Sequence, residues 1–234
     1  MFDGSFRAPL DKRIAPIGKK LQKAGVSPDV ITAIGVAMAA GCGVAIGLGE
    51  FGVAVVLLIL TGLPDALDGA VANAGGRAGP RGAFLDSVSD RLSDGLLFVG
   101  AAWYLGGTDN PRMALLPFGV YLAASIVSYE RAKAESLGFS AKGGLMERAE
   151  RFIALGIGLL FAPIFVPVLW VMLVLTTATA IYRFVKVWKQ ASAVTEIPGT
   201  RRRRRRQRRT ARPMAGSFRE RARGRAEARR SRRS

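Results

Sequence analysis

The sequence predicts an all-α integral membrane protein, with six transmembrane helices preceded by an N-terminal interfacial amphipathic helix. Three observations predict it. Half of the 234 residues are hydrophobic, and the charged ones crowd into residues 10–23, the neighbourhood of the aspartates at 65–90, residues 130–151 and the C-terminal tail. Between these clusters lie apolar stretches of roughly twenty residues, long enough to cross a bilayer. Lys and Arg also fall almost wholly on one side of the implied spans. The length alone would allow one or two soluble domains, but that distribution of charge excludes them.

The chain divides into a juxtamembrane segment (1–26), a six-helix membrane domain (27–190) and a tail (191–234). The N-terminus lacks the layout of a cleaved signal peptide and is expected to be retained. From Leu10 to Gly25, Ile14, Ile17 and Leu21 recur at near-helical spacing among Lys12, Arg13, Lys19, Lys20 and Lys23. That pattern suits a helix lying on an anionic membrane surface.

The first span opens with Ser27-Pro28-Asp29, a Ser cap with Pro at the first helical position, and runs to about Leu48. Its Gly-rich interior suits close helix packing. Solitary Cys42 sits in this apolar run, where a buried small hydrophobe is its expected role. The second span runs from about Phe51 to Val71, the third from about Ala83 to Leu105, and the turn between them covers 73–82. The fourth covers about Met113 to Ala134, the fifth begins near Glu147 and ends before Pro163, and the sixth runs from about Val166 to Val187. Six spans put both termini on one side, together with Arg77, Arg81 and the basic residues from 131 to 151. The positive-inside rule makes that side cytoplasmic, in a multi-pass protein of the cell membrane.

The tail changes character. From Thr200 to Ser234 it holds 17 Arg and 2 Glu, a net +15 of the whole chain's +18. Such a run buries no core and is expected to be disordered. Nucleic acid is one partner for it, but a tail tethered at a cytoplasmic leaflet already meets anionic lipid at high effective concentration. Membrane lipid is therefore the favoured partner.

Asp65 and Asp68 stand three apart near the end of the second span, and Asp86 and Asp90 four apart at the start of the third. If both segments are helical, each pair shares a face. Carboxylates beside lipid are costly without compensation. Four of them on facing helices make a hard, all-oxygen site suited to Mg²⁺ or Mn²⁺, in a chain with no His and one Cys. Gly and Arg between the pairs offer room and charge for a phosphate ligand. Helix capping, or pairing with Arg77, Arg81 and Arg91, is the plainer account, but it does not require four acids at helical spacing on two consecutive apolar segments.

As it stands the spacing is Asp65, two residues, Asp68-Gly69, two residues, Ala72, then Gly82, three residues, Asp86, three residues, Asp90. It resembles the signature of the CDP-alcohol phosphatidyltransferase family, in which a CDP-linked lipid donates its phosphatidyl group to an alcohol. The resemblance implies that Asp65, Asp68 and Asp86 hold a divalent metal. It further implies that Asp90 is the general base and a ligand of a second ion, and that the enzyme is a homodimer. Gly69 and Gly82 would let the nucleotide approach the helices closely. The family carries Arg directly after the Ala, where it helps to hold the donor's pyrophosphate. This chain has Asn73 there, with Arg77 and Arg81 as nearby substitutes.

Residues 128–135 and 143–151 are similar to the prokaryotic phosphatidylinositol phosphate synthase branch, a likeness running from about Leu10 to Trp188. It implies inositol phosphate as acceptor, with its phosphate held by Arg131, Lys133, Arg148, Arg151 and Arg183. Asp29, Val30, Ile31 and Thr32 would hold the CDP group. The branch commonly has Lys and Arg where this chain has Arg131 and Lys133, so charge is kept while geometry differs.

The expected reaction is phosphatidyl transfer from CDP-diacylglycerol to inositol phosphate, releasing CMP. Glycerol phosphate or another polar alcohol is the nearest alternative acceptor. Two other classes are a divalent-cation transporter, which the Gly and Arg between the acid pairs fit less well, and an inert membrane scaffold, which draws only on Asn73.

Overall fold

The computed structural model describes residues 27–74 and 79–195, with side chains for 27–62 and 79–194. The expected interfacial helix at 10–25, Arg77 and residues 196–234 of the tail lie outside the described residues, as do the side chains of Asp65, Asp68, Gly69 and Asn73. The described residues form six α-helices and contain no strand. They are α1 (Pro28–Gly47), α2 (Phe51–Ala74), α3 (Pro80–Gly106), α4 (Leu115–Ser136), α5 (Arg148–Leu160) and α6 (Phe165–Thr195), with 3₁₀ turns at Pro111–Ala114 and Ala162–Ile164.

Local chemistry sets the boundaries. The Ser27 hydroxyl oxygen accepts the Val30 N–H at 3.3 Å, Pro28 occupies the first turn and Asp29 faces the positive end of the helix. Proline likewise opens α3 at Pro80, earlier than expected, and α2 continues past Val71, so the connection between them is shorter than the predicted turn. A capping box between Glu147 and Glu150 starts α5. The last helix continues beyond Val187 because no Gly or Pro follows until Pro198.

Helix α1 packs on α2 and α3, α3 on α4, and α2 on α5. A core of Ile46, Leu97, Val120, Leu155, Leu169 and Met172 joins α1, α3, α4, α5 and α6. Cys42 is part of it, its Sγ donating to the Ala54 carbonyl at 3.2 Å, in the small-hydrophobe role expected of it. The crossing of α1 and α3 is made by glycine. A Cβ on Gly43 would strike the Leu96 carbonyl oxygen, and one on Gly100 would strike the Gly43 carbonyl. The apolar sequence of α1 thus packs as closely as its glycines permit. We expect Gly100→Ala to force these backbones apart and to lower unfolding free energy by about 1–3 kcal/mol. Thermal unfolding in detergent measures this, and an unchanged Tm would show that the crossing yields without cost.

Outward faces are apolar: Val56, Ile59, Leu122, Ile126, Trp170, Val174 and Ile181 are exposed large hydrophobics, as in helices that meet lipid rather than water. Three segments are long and apolar enough to cross a membrane, Pro28–Gly47, Pro111–Ser136 and Ala162–Val194, and Phe51–Gly62 is a shorter apolar helix. The other helices differ from simple spans for physical reasons. The stretch of α3 from Pro80 to Asp94 carries Arg81, Asp86, Asp90, Arg91 and Asp94. With 13 residues, α5 is only about 20 Å long, short of the roughly 30 Å hydrocarbon core. Those same elements carry the polar site. Residues Met1–Val187 form one unit and Trp188–Ser234 a second, represented among the described residues by helix up to Thr195.

Candidate active site

The acids of α3 descend from surface to interior. Asp86 is exposed, Asp90 has a side chain 20% exposed and Asp94 one 3% exposed. A spacing of four keeps all three on one face of the helix. On α2, Asp65 and Asp68 fall in the last turns of the helix, one turn apart in register. Among the described residues no group of three or more His, Cys, Asp or Glu converges on a metal position. The described part of the expected four-acid site is therefore the pair Asp86 and Asp90.

Two arginines of α5 reach this face. Arg148 Nη1 lies 2.6 Å from Asp90 Oδ1, and its Nε 3.5 Å from Asp94 Oδ1. Arg151 Nη2 lies 2.7 Å from Asp94 Oδ2, with both side chains 3% exposed. Arg91 adds a looser contact to Asp90 Oδ2 at 3.8 Å. The guanidinium of Arg148 also lies over the Phe152 ring, 5.0 Å from its centroid.

Arg183 of α6 is the second anchor. It donates to the Val127 carbonyl of α4 at 3.1 Å, to the Gly143 carbonyl at 2.9 Å and to Glu147 Oε1 at 2.5 Å. Thr179, one turn away, accepts the N–H groups of Leu145 and Met146, each at 3.1 Å, and Lys186 donates to the Lys142 carbonyl at 2.6 Å. The connection from α4 to α5 is thus laid along α6. Gly143 and Gly144 allow it: their φ values are 100° and 143°, and a Cβ on Gly144 would overlap the Thr179 methyl.

The five cations expected at an acceptor phosphate therefore sort by burial. Arg151 and Arg183 are buried, each engaged by a protein carboxylate. Arg148 keeps 23% exposure and Arg131 43%, and Lys133 is exposed. Arg131 pairs with Glu135 of its own helix at 3.2 Å, and its charge acts on Arg183 together with those of Glu147 and Glu130. Lys133 sits two residues along α4 from Arg131, on a different face of the helix.

At the start of α1, Asp29 Oδ2 meets Arg81 Nη2 at 2.8 Å, with side chains 43% and 88% exposed. The Thr32 hydroxyl donates to the Pro28 carbonyl at 3.1 Å. A surface pair of this kind contributes little stability, but it links the first turn of α1 to the first turn of α3. Val30 is exposed, Ile31 is buried, and Gly82 stands open on α3 with nothing near its Cβ position.

Sequence reasoning missed two acids. Asp94 continues the every-fourth-residue series of Asp86 and Asp90, a signal that was present but fell outside the four-acid spacing. Glu130 lies next to Arg131, and its Oε2 is buried without a hydrogen-bond partner among the described residues. The same is true of Arg91 Nε and Arg151 Nε. Of the four buried side-chain polar atoms lacking partners among the described residues, only Thr176 Oγ1 belongs to a residue with no part in these contacts. Unpaired buried polar atoms are costly, and three of these four belong to charged residues, Arg91, Glu130 and Arg151.

Comparison with known proteins agrees with that chemistry. A family model described as CDP-alcohol phosphatidyltransferase matches residues 25–182. The phosphatidylinositol phosphate synthase of Mycolicibacterium smegmatis is 33% identical over 197 residues, covering 82% of this chain and 88% of that protein. The enzyme of the same name from Streptomyces avermitilis is 35% identical over 200 residues, covering 80% and 82%. The crystal structure of the Mycobacterium tuberculosis phosphatidylinositol phosphate synthase with CDP-DAG bound superimposes with a TM-score of 0.71 at 28% identity, over 75% of this chain and 93% of that one. A second structure of that protein, in complex with manganese and citrate, gives a TM-score of 0.70 at 28% identity, over 75% and 88%.

Proposed function

This chain belongs to the CDP-alcohol phosphatidyltransferase family, and on that premise we propose that it transfers the phosphatidyl group of CDP-diacylglycerol to inositol phosphate, giving phosphatidylinositol phosphate and CMP. The reaction class follows from the family. The observation that carries the acceptor is the arginine network: Arg148 and Arg151 stand against Asp90 and Asp94, with Arg131 in the last turns of α4 and Arg183 within α6 interacting electrostatically with each other. Cations gathered beside a carboxylate that could take a proton suit an alcohol already carrying a phosphate.

The donor set fits a divalent cation of the hard, oxygen-preferring kind, Mg²⁺ or Mn²⁺, because the acids at 65, 68, 86 and 90 offer only carboxylate oxygen. Asp65, Asp68 and Asp86 would hold it, with Asp90 shared between a second ion and the acceptor. Bound there, the metal supplies charge neutralisation at the pyrophosphate. Asp29 to Thr32, Gly69 and the open position at Gly82 would receive the CDP group. Asp90 would accept the proton of the acceptor hydroxyl as its oxygen attacks the phosphorus bearing diacylglycerol. The bond from that phosphorus to the CMP oxygen then breaks, and CMP leaves with the electron pair. The arginines would hold the acceptor phosphate so that the hydroxyl meets Asp90.

The wider reading is a six-span protein of the cell membrane with this site and both termini cytoplasmic, dimeric, its Arg-rich tail against anionic lipid. Three apolar helices and the one-sided distribution of Lys and Arg support it. The deciding assay gives purified protein labelled CDP-diacylglycerol, Mg²⁺ and, in separate reactions, inositol phosphate, glycerol phosphate and serine, and identifies the lipid formed. Product with glycerol phosphate alone would sink the acceptor and keep the class.

The departure at Asn73 yields a prediction of its own. If the lost cation matters, Asn73→Arg lowers the KM for CDP-diacylglycerol by up to about tenfold, the worth of one charge-assisted contact near 1.5 kcal/mol. No gain, together with a raised donor KM in Arg81→Ala, would show that Arg81, held at Asp29, has taken the role.

A further inference from the structure

Asp94 is the buried acid that the four-acid spacing leaves out. It stands one turn beyond Asp90, and both of its oxygens face α5, Oδ2 toward Arg151 at 2.7 Å and Oδ1 toward Arg148 at 3.5 Å. Arg148 also reaches Asp90 at 2.6 Å. One guanidinium therefore spans carboxylates in successive turns of α3, while the second is buried against the deeper carboxylate. Stability is a poor reason for this arrangement. Removing a carboxylate and a guanidinium from water costs about what their attraction returns, and apolar replacements are often as stable. The positive-inside rule asks for Arg at this end of the helices, not for Arg with a side chain 3% exposed. A carboxylate engaged by two guanidinium groups does supply orientation, because the planar fork of Arg fixes direction as well as charge. Among the described residues the buried Nε of Arg151 has no hydrogen-bond partner, so its guanidinium is aimed at Asp94 without being fully satisfied.

We infer that Asp94 is a positioning residue for the acceptor, holding Arg148 and Arg151 in register with Asp90 so that a phosphorylated alcohol bound by these arginines presents its hydroxyl to the Asp90 carboxylate. The inference deepens the reading of Asp90 and the arginines given above and rests on it. Among the described residues Asp94 is paired with Arg148 and Arg151, so its effect is expected chiefly on the acceptor.

The test uses the full-length protein with labelled CDP-diacylglycerol and saturating Mg²⁺. Wild type is first offered inositol phosphate and glycerol phosphate; failure with inositol phosphate sinks the acceptor reading, and Asp94 is then tested on the phosphorylated alcohol that is used. Asp94→Asn keeps size and removes charge. It is expected to lower acceptor kcat/KM by about tenfold to a hundredfold, mostly through KM, with the donor KM within about twofold. In an Arg148→Gln/Arg151→Gln background the same change is expected to cost less than about threefold, since a residue acting through those two arginines has nothing left to position. Equal shifts in donor and acceptor KM, or fully additive losses, would overturn the inference. If Asp94→Asn does not yield folded protein, Asp94→Glu carries the test, because it keeps the charge and displaces it by one methylene. A severalfold rise confined to the acceptor KM supports the inference, and an unchanged acceptor KM overturns it.

Discussion

Asp90→Asn is expected to reduce CMP release by about 10²–10⁴-fold, the usual worth of a general base, while CDP-diacylglycerol binding changes by less than about threefold. Asparagine preserves the size of the side chain and one acceptor oxygen, so the helix and its packing stay in place. What is lost is the charge that takes the hydroxyl proton. The same experiment separates a base from a metal ligand and from an anchor. If Asp90 served only as a metal ligand, raising Mg²⁺ would restore the rate; loss of the base persists at saturation. If Asp90 served only to anchor Arg148, whose Nη1 it meets at 2.6 Å, the defect would lie in acceptor KM. Arg148 retains its contact with Asp94, so kcat is expected to fall much further than acceptor KM rises. Turnover within tenfold of wild type at saturating Mg²⁺ and acceptor would remove Asp90 from the role of base.

The spacing of the aspartates reads directly from sequence because helical period and the cost of charge beside lipid both act locally. The glycines of α1 read for the same reason, since nothing but close packing rewards Gly in an apolar helix. The reach of the arginines does not read this way. Arg148 and Arg151 are three apart on one helix, yet one keeps 23% exposure and the other 3%. That difference is set by α3, some 55 residues earlier in the chain. Arg183 was expected at the acceptor phosphate. Its three contacts to Val127, Gly143 and Glu147 tie together α4, the following loop and the start of α5, a tertiary fact with no sequence period. The bounds of α5 do read from sequence, from near Glu147 to before Pro163 against Arg148–Leu160; what composition does not settle is that a helix of this length falls short of a simple span.

Inositol phosphate should be preferred over free inositol by about two decades or more in kcat/KM. A phosphate that meets two arginines makes charge-assisted contacts worth about 1.5–3 kcal/mol each. Partial exposure of Arg148 and Arg131, 23% and 43%, argues for the low end of that range. Two contacts at the low end sum to about 3 kcal/mol, and each 1.4 kcal/mol is tenfold. Free inositol gains none of this and leaves the cations facing an empty pocket, which is why discrimination by a missing polar group exceeds that by a missing methylene. Arg148→Gln should shrink the preference by about tenfold while leaving the KM for CDP-diacylglycerol nearly unchanged, because Arg148 is turned toward the deeper acids of α3 and the Phe152 ring, away from the Asp29–Arg81 pair at the first turns of α1 and α3. Competition between the two alcohols in one vessel, with the lipid products separated and counted, measures the ratio free of enzyme concentration. Equal use of both alcohols would remove the phosphate from the pocket, and the buried arginines would then follow from the architecture of the helix ends alone.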